Sequence, residues 1–366
     1  MSTVTVDELR KALSQVKDPA LDRDLVSTEM LREVSFEGGK AKLTVRLTTP
    51  ACPSRDQIRA AVEAAAKSVS GVKEVEVVFT AEVARKSGPL PERLRGVKNI
   101  IAVAAGKGGV GKSTVATNLA AALSLEGGAR VGILDADVFG PSIPQMMGAP
   151  EVPAGMSTET AMTPAVHHGI KVLSVGFFLE RGAAVMWRGP MIHKLLTQFV
   201  EDVEWGELDY LIVDLPPGTG DTQLSLAQLV PVTGAVMVTT PQEVSIIDVE
   251  KALAMWKKVE IPVVGVIENM SYFACPKCGH HEEIFARGGG RKLAEREGLP
   301  FLGEIPVLSE VRSRGDAGKP IVLAEPESEV AKTFRGIARK IACDLSVRNL
   351  PDPGTAKRSS KLSVLQ

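Results

Sequence analysis

The sequence predicts an α/β protein, a mainly parallel sheet built around a phosphate-binding loop and preceded by a small α+β domain. Three observations carry this prediction. Gly106-Lys107-Gly108-Gly109-Val110-Gly111-Lys112-Ser113 fits the spelling G-x-x-x-x-G-K-[ST], after an apolar run from Ile100 to Ala104 and before an alanine- and leucine-rich stretch from Thr114 to Ser124. From 98 to about 345, short apolar runs alternate with helical segments, as parallel strands joined by crossover helices do. Residues 1 to about 82 instead show capping boxes and alternating strands, the pattern of a separate small fold.

In that front segment, Thr5-x-x-Glu8 is a capping box, and Leu9, Leu13 and Val16 continue as a helical stripe. Leu43, Val45 and Leu47 alternate like a half-buried strand, and Val75, Val77 and Phe79 do so again. Between them Ser54-x-x-Gln57 reads as a second capping box, opening a helix through Ile58 and Val62. The expected order is helix, strand, strand, helix, strand. Cys52 precedes the second helix, where a thiol has a lowered pKa and can act as ligand or nucleophile. It reads equally as a small buried apolar residue.

Residues 83–97, polar and holding Pro89 and Pro91, read as a linker. In the larger domain, 98–345, strands are expected near 130–134, 171–175, 209–213, 234–239 and 262–267, and helices over 191–203, 243–258 and 328–342. The tail, 346–366, with Pro351, Pro353, Gly354 and a serine–lysine run, is expected to be disordered.

Composition narrows the function. A length of 366 residues with 44% hydrophobic residues allows two cores. A net charge of −1 offers no global field for nucleic acid or an anionic membrane, and no run is long enough to span a bilayer. Asp7, Glu8 and Asp18 argue against a secretory signal. Four cysteines, two of them in a C-x-x-C, do not make a disulfide framework, so a reducing cytoplasm is expected.

The chemistry gathers at the loop. Its glycines, with Val110, let successive backbone N–H groups curl around a phosphate, and the helix entered through Thr114 points its positive end at the same anion. Lys112 supplies a point charge to the β- and γ-phosphates, and the Ser113 hydroxyl can ligate Mg²⁺. Two strands should end beside the loop in carboxylates, Ile133-Leu134 before Asp135-Ala136-Asp137 and Ile212-Val213 before Asp214, suited to Mg²⁺. Asn269 ends a strand expected over Val263 to Glu268, and its amide could pair with an adenine edge. Arg287-Gly288-Gly289-Gly290-Arg291 reads as a turn before a helix. Cys275-Pro276-Lys277-Cys278 supplies two thiols, half of a four-ligand site. On residues alone, a structural zinc recruiting His280 or His281, a cluster and a redox pair all stay open.

Lys107, directly after the first glycine, resembles the second lysine of the deviant phosphate-loop ATPases, which include division-site, partition, arsenite-pump and iron–sulfur carrier ATPases. The resemblance implies an ATP-sandwich homodimer, with Lys107 reaching the partner's nucleotide. Asp135-Ala136-Asp137-Val138-Phe139-Gly140-Pro141-Ser142 is similar to the first switch of that group, where the second Asp positions the attacking water, a role that falls on Asp137. Asp214-Leu215-Pro216-Pro217-Gly218-Thr219-Gly220-Asp221 is similar to the second switch, placing Asp214 in the Mg²⁺ shell. The run Ile267 to Gly279, with Trp187-Arg188-Gly189-Pro190-Met191, Gly303-Glu304-Ile305-Pro306 and Gly315 to Pro320, closely resembles the Mrp/ApbC family of iron–sulfur carrier ATPases. The front segment resembles the small iron–sulfur-assembly domain fused ahead of such carriers.

For this chain the resemblance implies ATP hydrolysis, MgATP held by residues 106–114 with Asn269 at the base, and catalytic roles for Lys107, Lys112, Asp137 and Asp214. It implies Mg²⁺ at Ser113, Asp137 and Asp214, and a labile 4Fe–4S cluster bridged between two chains by Cys275 and Cys278. The expected partners are apo iron–sulfur proteins and cluster-assembly scaffolds, with no nucleic acid and no membrane. The rival is a positioning switch of the division-site or partition class, with a structural zinc at the C-x-x-C.

Overall fold

The computed structural model describes residues 5–85, 90–149, 161–178, 189–220, 223–225, 229–275 and 277–350. Asp221, Pro276, the Trp187-Arg188 pair, part of the linker and the tail beyond 350 lie outside the described residues. The chain divides into two compact units, Met1–Ser87 joined by Ala342–Gln366, and Gly88–Ile341.

The first unit opens with α1 (Val6–Leu13), where both capping-box bonds form, Glu8 N–H to Thr5 Oγ1 at 3.2 Å and Thr5 N–H to Glu8 Oε2 at 2.9 Å. After a short ladder of β1 (Lys17–Asp18) and β2 (Arg23–Asp24) come β3 (Leu31–Glu37), β4 (Lys40–Leu47), α2 (Arg55–Lys67) and β5 (Glu74–Ala81). β3 and β4 run antiparallel and β4 and β5 parallel. Their inner faces meet both helices through Leu9, Leu13, Leu43, Val45, Ile58 and Val62, all buried. The second expected capping box does not form. Ser54 sits at φ −92°, ψ 9°, away from the extended backbone a capping hydroxyl needs, and makes no side-chain cap bond.

The second unit holds β6 (Val97–Ala105), α3 (Lys112–Ser124), β7 (Val131–Asp135), α4 (Ile143–Met146), β8 (Ala165–His167), β9 (Ile170–Ser174), α5 (Gly189–Glu201) and β10 (Leu208–Asp214). It continues with β11 (Gly234–Thr239), α6 (Glu243–Lys258), β12 (Val263–Ala274), β13 (His281–Glu282), α7 (Gly289–Glu297), β14 (Phe301–Val307), α8 (Ser309–Asp316) and α9 (Ile321–Ala324). The last helix, α10 (Glu329–Arg348), outruns its expected end, and the division between the units falls within it.

Among the described residues the sheet has nine strands in the order β13-β12-β11-β6-β10-β7-β9-β8, with β14 also on β12. All pairings are parallel except those of β8 and β13. β6, β7, β10 and β11 are buried almost throughout, as strands covered on both faces must be. Leu94 is buried and β6 begins at Val97, so the span read as linker is already packed at its end. β12 is longer than expected. It runs through Asn269 to Ala274, with Met270 at φ +55° inside it. No helix of the described residues is long and apolar enough to cross a membrane.

Candidate nucleotide site and cysteine turn

The C-terminal ends of β6, β7, β10 and β12 open on one crevice, where ligands of such sheets bind. The loop from Gly106 follows β6. A Cβ at Gly106 would lie 2.3 Å from the carbonyl carbon of Asp248 on α6, so only glycine lets the loop start here. Gly111, at φ +81°, caps α3 in the left-handed region, and a Cβ there would lie 2.2 Å from Asn269 Nδ2.

Lys112 is buried and donates to Asp214 Oδ1 at 2.7 Å, with Asp137 Oδ2 at 3.3 Å and Ser113 Oγ at 3.3 Å. The structure therefore brings together Lys112, Ser113, Asp137 and Asp214 from three strand ends. Lys107 lines the same cavity and pairs with no described residue. Asp135 lies beneath them, fully buried. Its Oδ1 accepts from Asp137 N–H, and its Oδ2 from the Ser142 and Ile143 N–H groups and the Ser174 hydroxyl. Burial, then the charge of Asp214, pushes Asp135 up to about 7. Burial also raises Asp214, against the pull of Lys112. Three carboxylates thus face one ammonium. Asp214 Oδ2 is buried and accepts from no described residue. An orphan carboxylate oxygen beside a serine hydroxyl fits a hard divalent cation such as Mg²⁺.

Two cavities adjoin at Gly111, Thr114 and Met146. The one of about 250 Å³ is lined by Lys107, Lys112, Ser113, Asp137 and Pro217, and suits phosphates. The one of about 350 Å³ is lined by Asn269, Met270, Pro306, Val311 and Asp316, and suits a base. Asn269 Nδ2 donates to Val110 O at 2.8 Å, which leaves the amide oxygen and the second N–H for a ligand.

Past Asn269, β12 leads to the cysteine turn, closed by Gly279 N–H to Cys275 O and Cys275 N–H to His280 O, both 2.9 Å. Cys278 is exposed and Cys275 half-buried. Hydrogen bonds from the Lys277 and Cys278 N–H groups and the Cys278 thiol hold Cys275 below the ordinary thiol range. His281 stacks on Tyr272 and His280 meets Glu282. Among the described residues, no group of three or more histidine, cysteine or acidic side chains could hold a metal, so the two thiols gain no third ligand from these histidines.

The family model of the NUBPL iron-transfer P-loop NTPases matches residues 96–342, and that of an iron–sulfur cluster assembly protein matches 6–77. The iron–sulfur cluster carrier protein of Deinococcus radiodurans is 51% identical over 94% of this chain and 97% of its own length. The chain belongs to the iron–sulfur cluster carrier family of P-loop NTPases. Another family member, from Synechocystis, is 46% identical over 95% of this chain and 99% of its own. A nucleotide-binding protein from Archaeoglobus fulgidus, solved in complex with ADP, is 40% identical, with a TM-score of 0.57 over 66% of this chain and 94% of that one. As a P-loop NTPase of this carrier family, the chain is an ATPase whose fold class is the one its loop spelling predicts.

Cys52 departs from expectation. Burial pushes its thiol up to about 11, outweighing a hydrogen bond from the Ser54 N–H. The start of α2 does not make it a thiolate. Cys343 lies within electrostatic reach in the same unit, and burial raises it too. Arg287 to Arg291 is a turn entering α7, as read, but its Gly288 and Gly290 N–H groups are already taken by Glu268. Sequence reasoning passed over Asp135 as an organiser, Glu268, and the stretch from Pro306 to Asp316 as a cavity wall. For Glu268 the one signal was an acid directly after the apolar run Val263 to Ile267.

Proposed function

We propose that this chain is an ATP-dependent carrier that holds a labile 4Fe–4S cluster as cargo between two copies of itself and passes it to apo-proteins. The observation that carries this reading is the cysteine turn, two accessible thiols without a third ligand among the described residues. A second copy would supply the other two thiolates a cluster needs. The relatives' printed name, iron-sulfur cluster carrier protein, supports the cargo.

Residues 106–114 hold the phosphates through backbone N–H groups, with Lys112 on the β- and γ-phosphates and Asn269 at the base. Asp137 orients the attacking water, and Lys107 reaches the partner's nucleotide. Ser113, Asp137 and Asp214 hold Mg²⁺, which when bound neutralises phosphate charge. The carrier works in a reducing cytoplasm, which four free cysteines support.

Anaerobic reconstitution of the wild type and of the Cys275→Ala/Cys278→Ala double variant tests the reading. About four irons per wild-type dimer, absent from the variant, are expected. Tightly held zinc with no iron would overturn it.

A further inference from the structure

Glu268 is a fully buried carboxylate with no part in the nucleotide site or the cysteine turn, yet it stands between them. β12 carries the chain from Asn269, on the loop carbonyl of Val110, to Cys275 just past its end. Within that interval the strand is irregular. Its register against β14 runs Asn269 to Ile305 and then Phe273 to Val307, an advance of four residues on one strand against two on the other. A bulge of this kind bends a strand and re-aims the chain beyond it. Met270 sits in it at φ +55°, a conformation that costs a non-glycine residue about 1 kcal/mol or more and persists only where neighbours impose it.

The neighbour bonded across Met270 is Glu268. Its Oε1 accepts from the Ser271 hydroxyl at 2.6 Å, inside the bulge, and from Gly288 N–H at 2.9 Å. Its Oε2 accepts from Gly290 N–H at 2.6 Å. The carboxylate thus ties the middle of the bulge to the turn that opens α7. The turn is shaped for it, since a Cβ at Gly290 would lie 3.1 Å from the Glu268 Cβ and one at Gly289 2.4 Å from Pro241 O. Within the bulge the same segment grips the strand again. Arg287 lies over the Tyr272 ring at 4.7 Å and bonds Glu304 of β14 at 2.7 Å.

We propose that Glu268 is a positioning residue that couples the nucleotide loop to the cysteine turn, by holding the β12 bulge so that a shift of Asn269 is passed on to Cys275. The proposal rests on the carrier reading for the meaning of the two sites. Coupling of this kind needs a contiguous element that both sites bias, and a clasped bulge between them is one. A charged acceptor is suited to the clasp, because each of its bonds is stronger than a neutral one.

The test uses the full-length, reduced, cluster-free protein. N-ethylmaleimide labelling of Cys275 and Cys278 is timed by mass spectrometry, without nucleotide and with magnesium and a non-hydrolysable ATP analogue. In the wild type the rate should differ about fivefold or more between the two conditions. In Glu268→Gln, which keeps the volume but loses an acceptor, the ratio should fall towards one while analogue affinity and dimer mass stay at wild-type values. Ser271→Ala removes a single bond and should lower the ratio partway, which keeps the test decisive if Glu268→Gln does not fold. A wild-type rate indifferent to nucleotide, or variants that keep the full ratio, would overturn the proposal. No cluster is present, so failure here is distinct from failure of the carrier reading, which shows in iron content.

Discussion

Lys112 Nζ donates to Asp214 Oδ1 at 2.7 Å across a pair of side chains that are 6% and 0% exposed. The lysine meant for phosphate is held by the carboxylate meant for the cation. Removing it leaves buried acids without their counter-charge. Lys112→Ala should lower nucleotide-free stability by about 3 kcal/mol, as loss of one partner of a buried pair does, and abolish ATP turnover. Adding Asp214→Asn should recover part of the stability and none of the turnover. Urea melts of the four proteins in the cycle, with phosphate-release assays, check this.

Asp135 gives the nucleotide-free protein a pH signature. Its folded pKa is about 7 against an ordinary 3.8, so between those values the folded state keeps a proton that the unfolded state releases. Stability from this group is therefore present below the lower value and is lost as pH rises towards 7. The slope of melting temperature between pH 5 and 7.5 should be less negative in Asp135→Asn than in the wild type, each measured without nucleotide.

The thiols should separate by alkylation. Thiolate is the reactive form, so Cys275, held low by its turn, reacts first at pH 7. Cys52 stays protonated until the pH approaches about 11. Iodoacetamide labelling followed residue by residue from pH 6 to 9 should show Cys275 saturating early and Cys52 barely labelled. Equal rates at pH 7 would contradict this order.

Asn269 spans loop and cavity. Asn269→Ala should weaken ATP binding roughly fivefold, the worth of about one hydrogen bond, and reduce the preference for ATP over GTP. Gly111→Ala attacks the same contact from the other side, at φ +81° and 2.2 Å from the amide, and should cost about 1–3 kcal/mol of stability. Fluorescent-nucleotide titrations and thermal melts distinguish the two effects.

The elements that sequence made legible are those with local causes. A glycine-rich spelling between strand and helix located the loop, and apolar runs ending in Asp135 and Asp214 located the strand ends around it. Ser54 was misread because a capping box is a spelling that only extended backbone completes. Cys52 stayed open between two readings because helix position was legible and burial was not. Glu268 showed as an acid closing an apolar run, but its role stayed hidden because its partners, Gly288 and Gly290, are twenty and more residues away and meet it through backbone N–H groups, which leave no mark in a sequence. The wall from Pro306 to Asp316 belongs to a strand and helix whose place beside β12 is set by the sheet order alone.

The end of α10 has a consequence for the order in which the chain is made. Ser346 Oγ lies 3.1 Å from Thr48 Oγ1, and Asn349 Nδ2 donates to Ala84 O at 3.2 Å, all within the first unit. Domains generally fold as they leave the ribosome, N-terminal first. Here the front unit emerges first and is completed last, by residues translated after the whole nucleotide-binding unit. Thr48 waits through 298 residues of synthesis and Ala84 through 265 for those partners. A chain ended before Ala342 would therefore carry the whole nucleotide-binding unit and a front unit without these partners.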